Sequence, residues 1–374
     1  MKYYILAGEA SGDLHGSNLM KALLKVDSQA EFRFWGGNLM QEVGGNLVVH
    51  YKERSFMGFA EVLFNLRKIL GLIKFCKKDI EDFQPDTIIF IDNSGFNLRI
   101  AEWAKKKQFK TQYYISPQVW ASRAGRVEKI KRDIDAMYVI LPFEKAFYET
   151  YKYPVHFVGH PLIDAIANRT QVDERAFRDT HKLSNKPIIA LLPGSRKQEI
   201  TKMLGVMLSV VDDYPDYQFV IAGAPSQDFD FYKPFITNDN VAFINNKTYD
   251  LLSVSTAALV TSGTATLETA LFKVPQVVCY KANAISYHIA KRIITLKFIS
   301  LVNLIMDREV VKELIQNDLT TKNLKIELNK ILDKYQRAKL FLDYYDLEKK
   351  LGGRGASDKA AELIYQNIVQ PQGK

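Results

Sequence analysis

Cysteine is scarce in this chain. The two residues, Cys76 and Cys279 in a sequence of 374, lie far apart and form neither a metal nor a redox spacing. That excludes a disulfide scaffold and points to a reducing compartment. No uninterrupted apolar run reaches the ~20 residues of a membrane span. The start, Met1-Lys2-Tyr3-Tyr4-Ile5-Leu6-Ala7-Gly8, is too short for the apolar core of a secretion signal and runs into a glycine turn. The expectation is a cytoplasmic protein, attached at most to a membrane surface. His15, His50, His156, His160, His181 and His288 show no metal spacing. Zinc-finger, RRM and basic-zipper signatures are lacking, so nucleic acid is not an expected partner.

What is present is globular: 47% hydrophobic and 25% charged residues, over a length that suits two domains. Short apolar runs alternate with amphipathic stretches from end to end. Candidate strands are Tyr3–Ala7, Glu31–Trp35, Thr87–Ile91, Thr111–Ile115, Ala136–Ile140 and Val155–Val158, with helices at Leu14–Val26, Phe96–Lys107 and Arg123–Arg132. A second series follows a polar pause: Ile188–Leu192, Gln218–Ala222, Val241–Ile244, Ala257–Val260 and Gln276–Tyr280. Continuous apolar strands between helices predict parallel sheets covered on both faces. The expected class is α/β, with two Rossmann-like doubly wound domains facing across a cleft. Their expected extents are 1–165 and 166–350, and a C-terminal helical segment, 351–374, either returns to the first domain or is exchanged in a dimer. Lys322–Tyr345 is expected to form one long helix.

Ligands of such sheets bind at the carboxyl ends of strands, so the turns there carry the candidate chemistry. Ser262-Gly263-Thr264-Ala265-Thr266-Leu267-Glu268 is a small-residue turn opening a helix. It suits a diphosphate at the helix N-terminus, with Glu268 one turn inside for the vicinal hydroxyls of a ribose; an ordinary Ser/Thr cap with a capping-box acid is the alternative. Leu192-Pro193-Gly194-Ser195-Arg196 offers a second anion site, where Gly194 admits close approach, Ser195 binds a phosphate oxygen and Arg196 pairs with it. In the first domain, Asp92 ends a strand at Ile91-Asp92-Asn93-Ser94-Gly95-Phe96-Asn97. A carboxylate there suits a general base, and helix capping by Asn93 or Ser94 is the competing use of the turn. Gly8-Glu9-Ala10-Ser11-Gly12-Asp13 fails the G-x-G-x-x-G spacing and carries acids, which disfavours a dinucleotide. It suits a loop touching a sugar or acceptor, through Glu9 and Ser11, or a plain turn with Asp13 as a helix cap. His15 follows as a further candidate. The triplets Asp133-Ile134-Asp135 and Asp228-Phe229-Asp230 sit away from strand ends and read as structural.

The net charge of +9 is uneven. Ten Lys or Arg fall between Arg99 and Arg132 against Glu102 and Glu128, a field that favours an anionic membrane surface. Met57 to Leu70 is unusually apolar, and Met57, Phe59, Leu63 and Phe64 suit an interfacial helix or an acyl-chain groove, against the alternative of a core helix.

Together these residues resemble the lipid-A-disaccharide synthase family, inverting glycosyltransferases of the GT-B type. The resemblance covers nearly the whole chain. Besides the turns above, it runs through Ser116-Pro117-Gln118-Val119-Trp120-Ala121, Leu141-Pro142-Phe143-Glu144, Val158-Gly159-His160-Pro161, Ser300-Leu301-Val302-Asn303-Leu304 and Arg308 to Leu314. It implies transfer of 2,3-diacylglucosamine from UDP to 2,3-diacylglucosamine 1-phosphate (lipid X) in lipid A and lipopolysaccharide biosynthesis, without a cofactor or metal. It also implies a peripheral place on the anionic inner membrane of a Gram-negative bacterium, as a monomer or homodimer. By resemblance Asp92 is the general base, Arg196 meets the diphosphate, Glu268 holds the ribose, and Asn303 and Glu9 are needed with less settled roles. Where many members carry a second Asp, this chain has Gly95, so no role for that acid carries over. Alternatives are a related GT-B enzyme with another lipid acceptor, a UDP-sugar epimerase, or a basic binding module.

Overall fold

A computed structural model describes residues 1–54, 66–122, 124–282 and 297–370. The chain divides into two compact units, Met1–Ala167 with Leu351–Lys374, and Asn168–Lys350.

The first unit is a seven-stranded sheet of Lys2–Ala7 (β1), Glu31–Gly36 (β2), Asn46–His50 (β3), Thr87–Ile91 (β4), Thr111–Tyr114 (β5), Ala136–Val139 (β6) and His156–Phe157 (β7). Every pairing is parallel, in the order β3-β2-β1-β4-β5-β6-β7. Helices cover both faces, so β4 and β5 are buried along their whole length. β4 meets this with an apolar run without alternation, while β5 buries Thr111 and Gln112 with their side chains hydrogen-bonded. The second unit repeats the plan with Ile188–Leu192 (β8), Gln218–Gly223 (β9), Val241–Asn245 (β10), Ser255–Thr261 (β11), Gln276–Tyr280 (β12) and Lys312–Ile315 (β13), all parallel, in the order β10-β9-β8-β11-β12-β13.

Strand order reverses once in each sheet. The reversal lies between β1 and β4 in the first unit and between β8 and β11 in the second. Loops leaving the carboxyl ends of two such strands diverge to opposite faces and leave a crevice, the usual ligand position in open parallel sheets.

Three expectations need correction. β3 and β13 escaped the strand reading because both are edge strands with few buried positions, and Lys312-Glu313-Leu314-Ile315 carries helix-forming charges. The supposed single tail helix is two, Thr321–Leu332 and Lys334–Lys350. Asp333 separates them in an extended conformation, its carboxylate accepting from Tyr335 N and Gln336 N at 3.1 Å each. The basic stretch is also less of a bare field than its local count suggests. Lys105, Lys106, Lys107, Lys129 and Arg132 pair with Asp135, Glu102, Glu81, Glu102 and Asp133, acids partly supplied from elsewhere in the fold.

The last helix, Ala356–Val369, belongs to the first unit of its own chain. Ala360, Ala361 and Ile364 enter the core under β1 and the helix Ala10–Val26, and Asp164 accepts from Gly355 N at 2.7 Å. Met57, Phe59, Leu63 and Phe64 lie outside the described residues. The helix Leu66–Phe83 that follows them buries Ile73, Cys76 and Ile80, while Leu70 and Phe75 stay exposed beside Lys74 and Lys78. No described helix is long and apolar enough to cross a membrane.

Candidate functional site

Both reversal points carry the residues singled out from the sequence. In the first unit, β1 leads into Gly8-Glu9 and β4 into Asp92-Asn93, and the two strands are adjacent with Ala7 opposite Ile91. The loops touch: a Cβ on Gly8 would come within 1.9 Å of Asn93 Nδ2, so any side chain there would have to displace the Asn93 amide. Asp92 and Asn93 are consecutive left-handed residues, at φ 44° and 43°. Asp and Asn are the non-glycine residues that best tolerate this region. Asn97 holds the turn, its buried Nδ2 donating to Asp92 O at 2.8 Å, Ile91 O at 3.2 Å and Leu6 O at 3.3 Å. Tyr113 from β5 also donates its hydroxyl hydrogen to Asp92 O. Asn93 occupies the N-cap position of the helix Ser94–Lys106 without a side-chain capping bond.

The backbone of Asp92 is thus fixed and its carboxyl left half-buried. Burial and the neighbouring Glu9 carboxylate both disfavour its ionised form and push it up to about 6. A carboxyl near neutrality at a strand's carboxyl end has the profile of a general base. Glu9 and Ser11 are exposed. Gly95 is exposed too, and a Cβ there would meet nothing within 4 Å, so the position would admit an acid sterically.

Asp13 and His15 are both buried. Asp13 does not cap its own helix. It is buried and accepts from Gly37 N at 2.8 Å, Met40 N at 3.0 Å and Leu39 N at 3.1 Å, capping the helix Asn38–Val43 instead. His15 sits in the second turn because the helix Ala10–Val26 starts earlier than expected. It is buried, and desolvation pushes it down to about 4, so it is a neutral core imidazole.

In the second unit, β8 leads into Gly194-Ser195-Arg196 and β11 into Ser262–Glu268, with Leu192 beside Val260. Gly194 takes φ +106° in front of the helix Lys197–Leu208. Arg196 occupies its N-cap position with an 80% exposed side chain, 3.6 Å from Glu199. Ser195 is exposed, and its carbonyl accepts from Ser226 Oγ at 2.8 Å. A long, exposed guanidinium beside a helix N-terminus suits bidentate anion capture.

The Ser262 turn is more committed internally than the sequence suggested. Ser262 donates its hydroxyl hydrogen to Ile299 O at 2.8 Å, and buried Thr266 donates to Gly263 O at 2.8 Å. Those two hydroxyls position the turn. Gly263 and Thr264 are exposed; Thr266 N bonds Gly263 O at 3.1 Å, whereas the opening N–H groups of a helix, here those at Thr264 and Ala265, precede any carbonyl of their own helix. Glu268 forms no capping box. Its Oε1 accepts from Tyr249 Oη at 2.7 Å, and burial pushes its carboxyl above the usual range.

Asn303, a candidate for the acceptor, is wholly buried and fully engaged. Nδ2 donates to Val311 O at 2.8 Å and Glu313 Oε1 at 2.9 Å, and Oδ1 accepts from Val310 N at 2.8 Å and Val311 N at 3.0 Å. Glu313 also accepts from Ile299 N and Ser300 N. This knot joins β13 to the segment whose Ile299 carbonyl receives the Ser262 hydroxyl. It explains Asn303 as a support beneath the turn.

The Ser116 motif has a comparable part. Ser116 donates to the buried Glu144, whose other oxygen accepts from Leu141 N at 2.9 Å and Ile140 N at 3.2 Å. Tyr249, Glu313 and Glu144 were not singled out individually from the sequence. Only Glu144 had a local signal, its spacing at the start of the helix Pro142–Glu149. Asp133 and Asp135 are tied to Arg132, Thr111 and Lys105, as a structural pair. Among the described residues no three His, Cys, Asp or Glu side chains gather as a metal site.

Comparison with known proteins follows the same lines. A lipid-A-disaccharide synthase from Geobacter metallireducens is 37% identical over 371 residues, covering 97% of this chain and 96% of that one. Its counterpart from Syntrophus aciditrophicus is 39% identical over 367 residues, covering 96% of each. Among solved structures, the UDP-GlcNAc 2-epimerase of Neisseria meningitidis bound to UDP-GlcNAc superposes with a TM-score of 0.66 at 14% identity, over 99% of this chain and 100% of that one. At that identity the epimerase likeness is one of fold. The family model described as lipid-A-disaccharide synthetase matches residues 3–368, and the chain belongs to that family of glycosyltransferases.

Proposed function

We propose that this protein transfers 2,3-diacylglucosamine from UDP to the 6-hydroxyl of 2,3-diacylglucosamine 1-phosphate, forming a β-1,6-linked disaccharide 1-phosphate and UDP. The observation that carries the reading is the Asp92 carboxyl at the first sheet's reversal point, pushed up to about 6 beside Glu9. In a single displacement the acceptor hydroxyl gives its proton to Asp92 while its oxygen bonds to the anomeric carbon. The bond from that carbon to the UDP oxygen breaks, and the configuration inverts. The base and the departing diphosphate must then flank the anomeric carbon. The two sets of residues lie on separate units, which suits such a division of roles. Arg196, the first-turn N–H groups at Thr264 and the Lys197–Leu208 helix N-terminus meet the charge on UDP, and Glu268 holds its ribose. The exposed Leu70 and Phe75 beside Lys74 and Lys78 suit attachment to an anionic membrane surface.

Two measurements test this. Purified protein in detergent with EDTA should release UDP from the donor only when the acceptor is present. Release that stops on chelation would refute the metal-free site, and release without acceptor would refute the transfer. The second is a pH profile. Asp92 acts ionised, so kcat/KM should fall on the acid side of about pH 6, roughly tenfold per unit. Replacing Glu9 by Gln removes a like charge and should move that limb to lower pH; an unmoved limb would assign it to another group.

A further inference from the structure

Tyr249 lies 19 residues before Glu268, on the helix Thr248–Ser253, and no motif pointed to it. Its hydroxyl reaches Glu268 Oε1 at 2.7 Å. The surrounding contacts leave the ring little freedom. It packs on Phe272 with ring centroids 5.3 Å apart. The Arg169 guanidinium lies 5.2 Å from the Phe272 ring centre and bonds Asp250 Oδ1 at 2.6 Å, anchoring the residue next to Tyr249. Glu268 itself is one turn inside the helix Thr264–Leu271.

A carboxylate that grips two vicinal hydroxyls must present its oxygens in one orientation, and a free glutamate samples several rotamers. One fixed hydrogen bond to Oε1 removes that freedom and leaves Oε2 and the second lone pair of Oε1 as acceptors. We propose that Tyr249 is the positioning residue that sets the Glu268 carboxylate for ribose, and so makes the nucleotide site select ribonucleotides over deoxyribonucleotides. The inference rests on the reading of Glu268 as the ribose ligand given above. Tyr249 touches no reacting atom, so its effect belongs in donor binding rather than in the chemical step.

Calorimetric titration with UDP, 2′-deoxy-UDP and 3′-deoxy-UDP on wild type, Tyr249→Phe and Glu268→Gln separates the two claims. Wild type should prefer UDP by about tenfold or more, the usual weight of a hydrogen bond to a charged group. Glu268→Gln should lose most of that preference. Tyr249→Phe removes one oxygen, so its melting temperature should stay close to wild type. Its UDP affinity should fall about fivefold and its preference for UDP should shrink to less than about threefold, with kcat at saturating donor within about twofold. Wild-type affinity and preference in Tyr249→Phe would overturn the positioning role and leave the Glu268 reading intact. Tighter UDP binding by that variant would make the hydroxyl a competitor of ribose and also overturn it. A preference that is absent in wild type, or that survives in Glu268→Gln, would overturn the ribose reading and the proposal with it.

Discussion

Asp92→Asn is expected to lower kcat by about 10²–10⁴-fold, the usual contribution of a positioned general base, while UDP binds as before. The substitution keeps the shape of the side chain and its tolerance of the left-handed backbone at φ 44°. The bonds that hold this turn, from Asn97 Nδ2 and the Tyr113 hydroxyl, go to the backbone carbonyl of residue 92 and are untouched. Removing the charge beside Glu9 should relieve repulsion, so the variant should fold at least as well as wild type. What disappears is the acceptor of the proton. The check is steady-state kinetics with both substrates, together with UDP titration and a melting curve. An Asn variant with near-normal kcat would remove Asp92 from the chemistry, whatever its affinity for UDP.

Asn303→Ala should act through stability. Truncation leaves Val310 N, Val311 N and Val311 O without their partner and takes one donor from Glu313. Each buried polar group left unpaired costs about 1–3 kcal/mol, and relaxation recovers part of it. The total, about 3–5 kcal/mol, lies at the upper end of single-substitution effects, where broken buried networks fall. For a unit of this size that lowers the melting temperature by roughly 10 °C. The loss should be visible by urea or thermal unfolding without any substrate. An Asn303→Ala protein with unchanged stability and lost activity would instead make the amide a substrate contact.

The two residues show different degrees of legibility. Asp92 was visible as a candidate because a polar residue follows four apolar ones, Ile88 to Ile91, at the end of β4. The glycine turns after β1 and β8 were visible for the same reason. Asn303 was visible only as a residue the family resemblance marked, and its use as a support depends on Val311 and Glu313 eight and ten residues away. Tyr249 had no signal, because a half-buried tyrosine on a short helix is common and its partner is remote in sequence. The basic stretch misled for a related reason: a local count cannot include Asp135 and Glu81, which the fold carries to Lys105 and Lys107.

Taken alone, the order of residues determined the central strands, the helices between them and which side chains stand at each strand's end. Those follow from local causes: apolar runs that must be buried on both faces, glycines that permit tight turns, and the charge of a side chain. Only the tertiary structure decided that strand order reverses between β1 and β4, which sets Glu9 against Asp92 and raises one carboxyl toward neutrality. It also decided which hydroxyls in the Ser262 turn are spent on the protein and which oxygen of Glu268 is held. Ionisation and hydrogen bonding depend on distances of a few ångströms between residues far apart in the chain, and such distances exist only once the sheet has assembled.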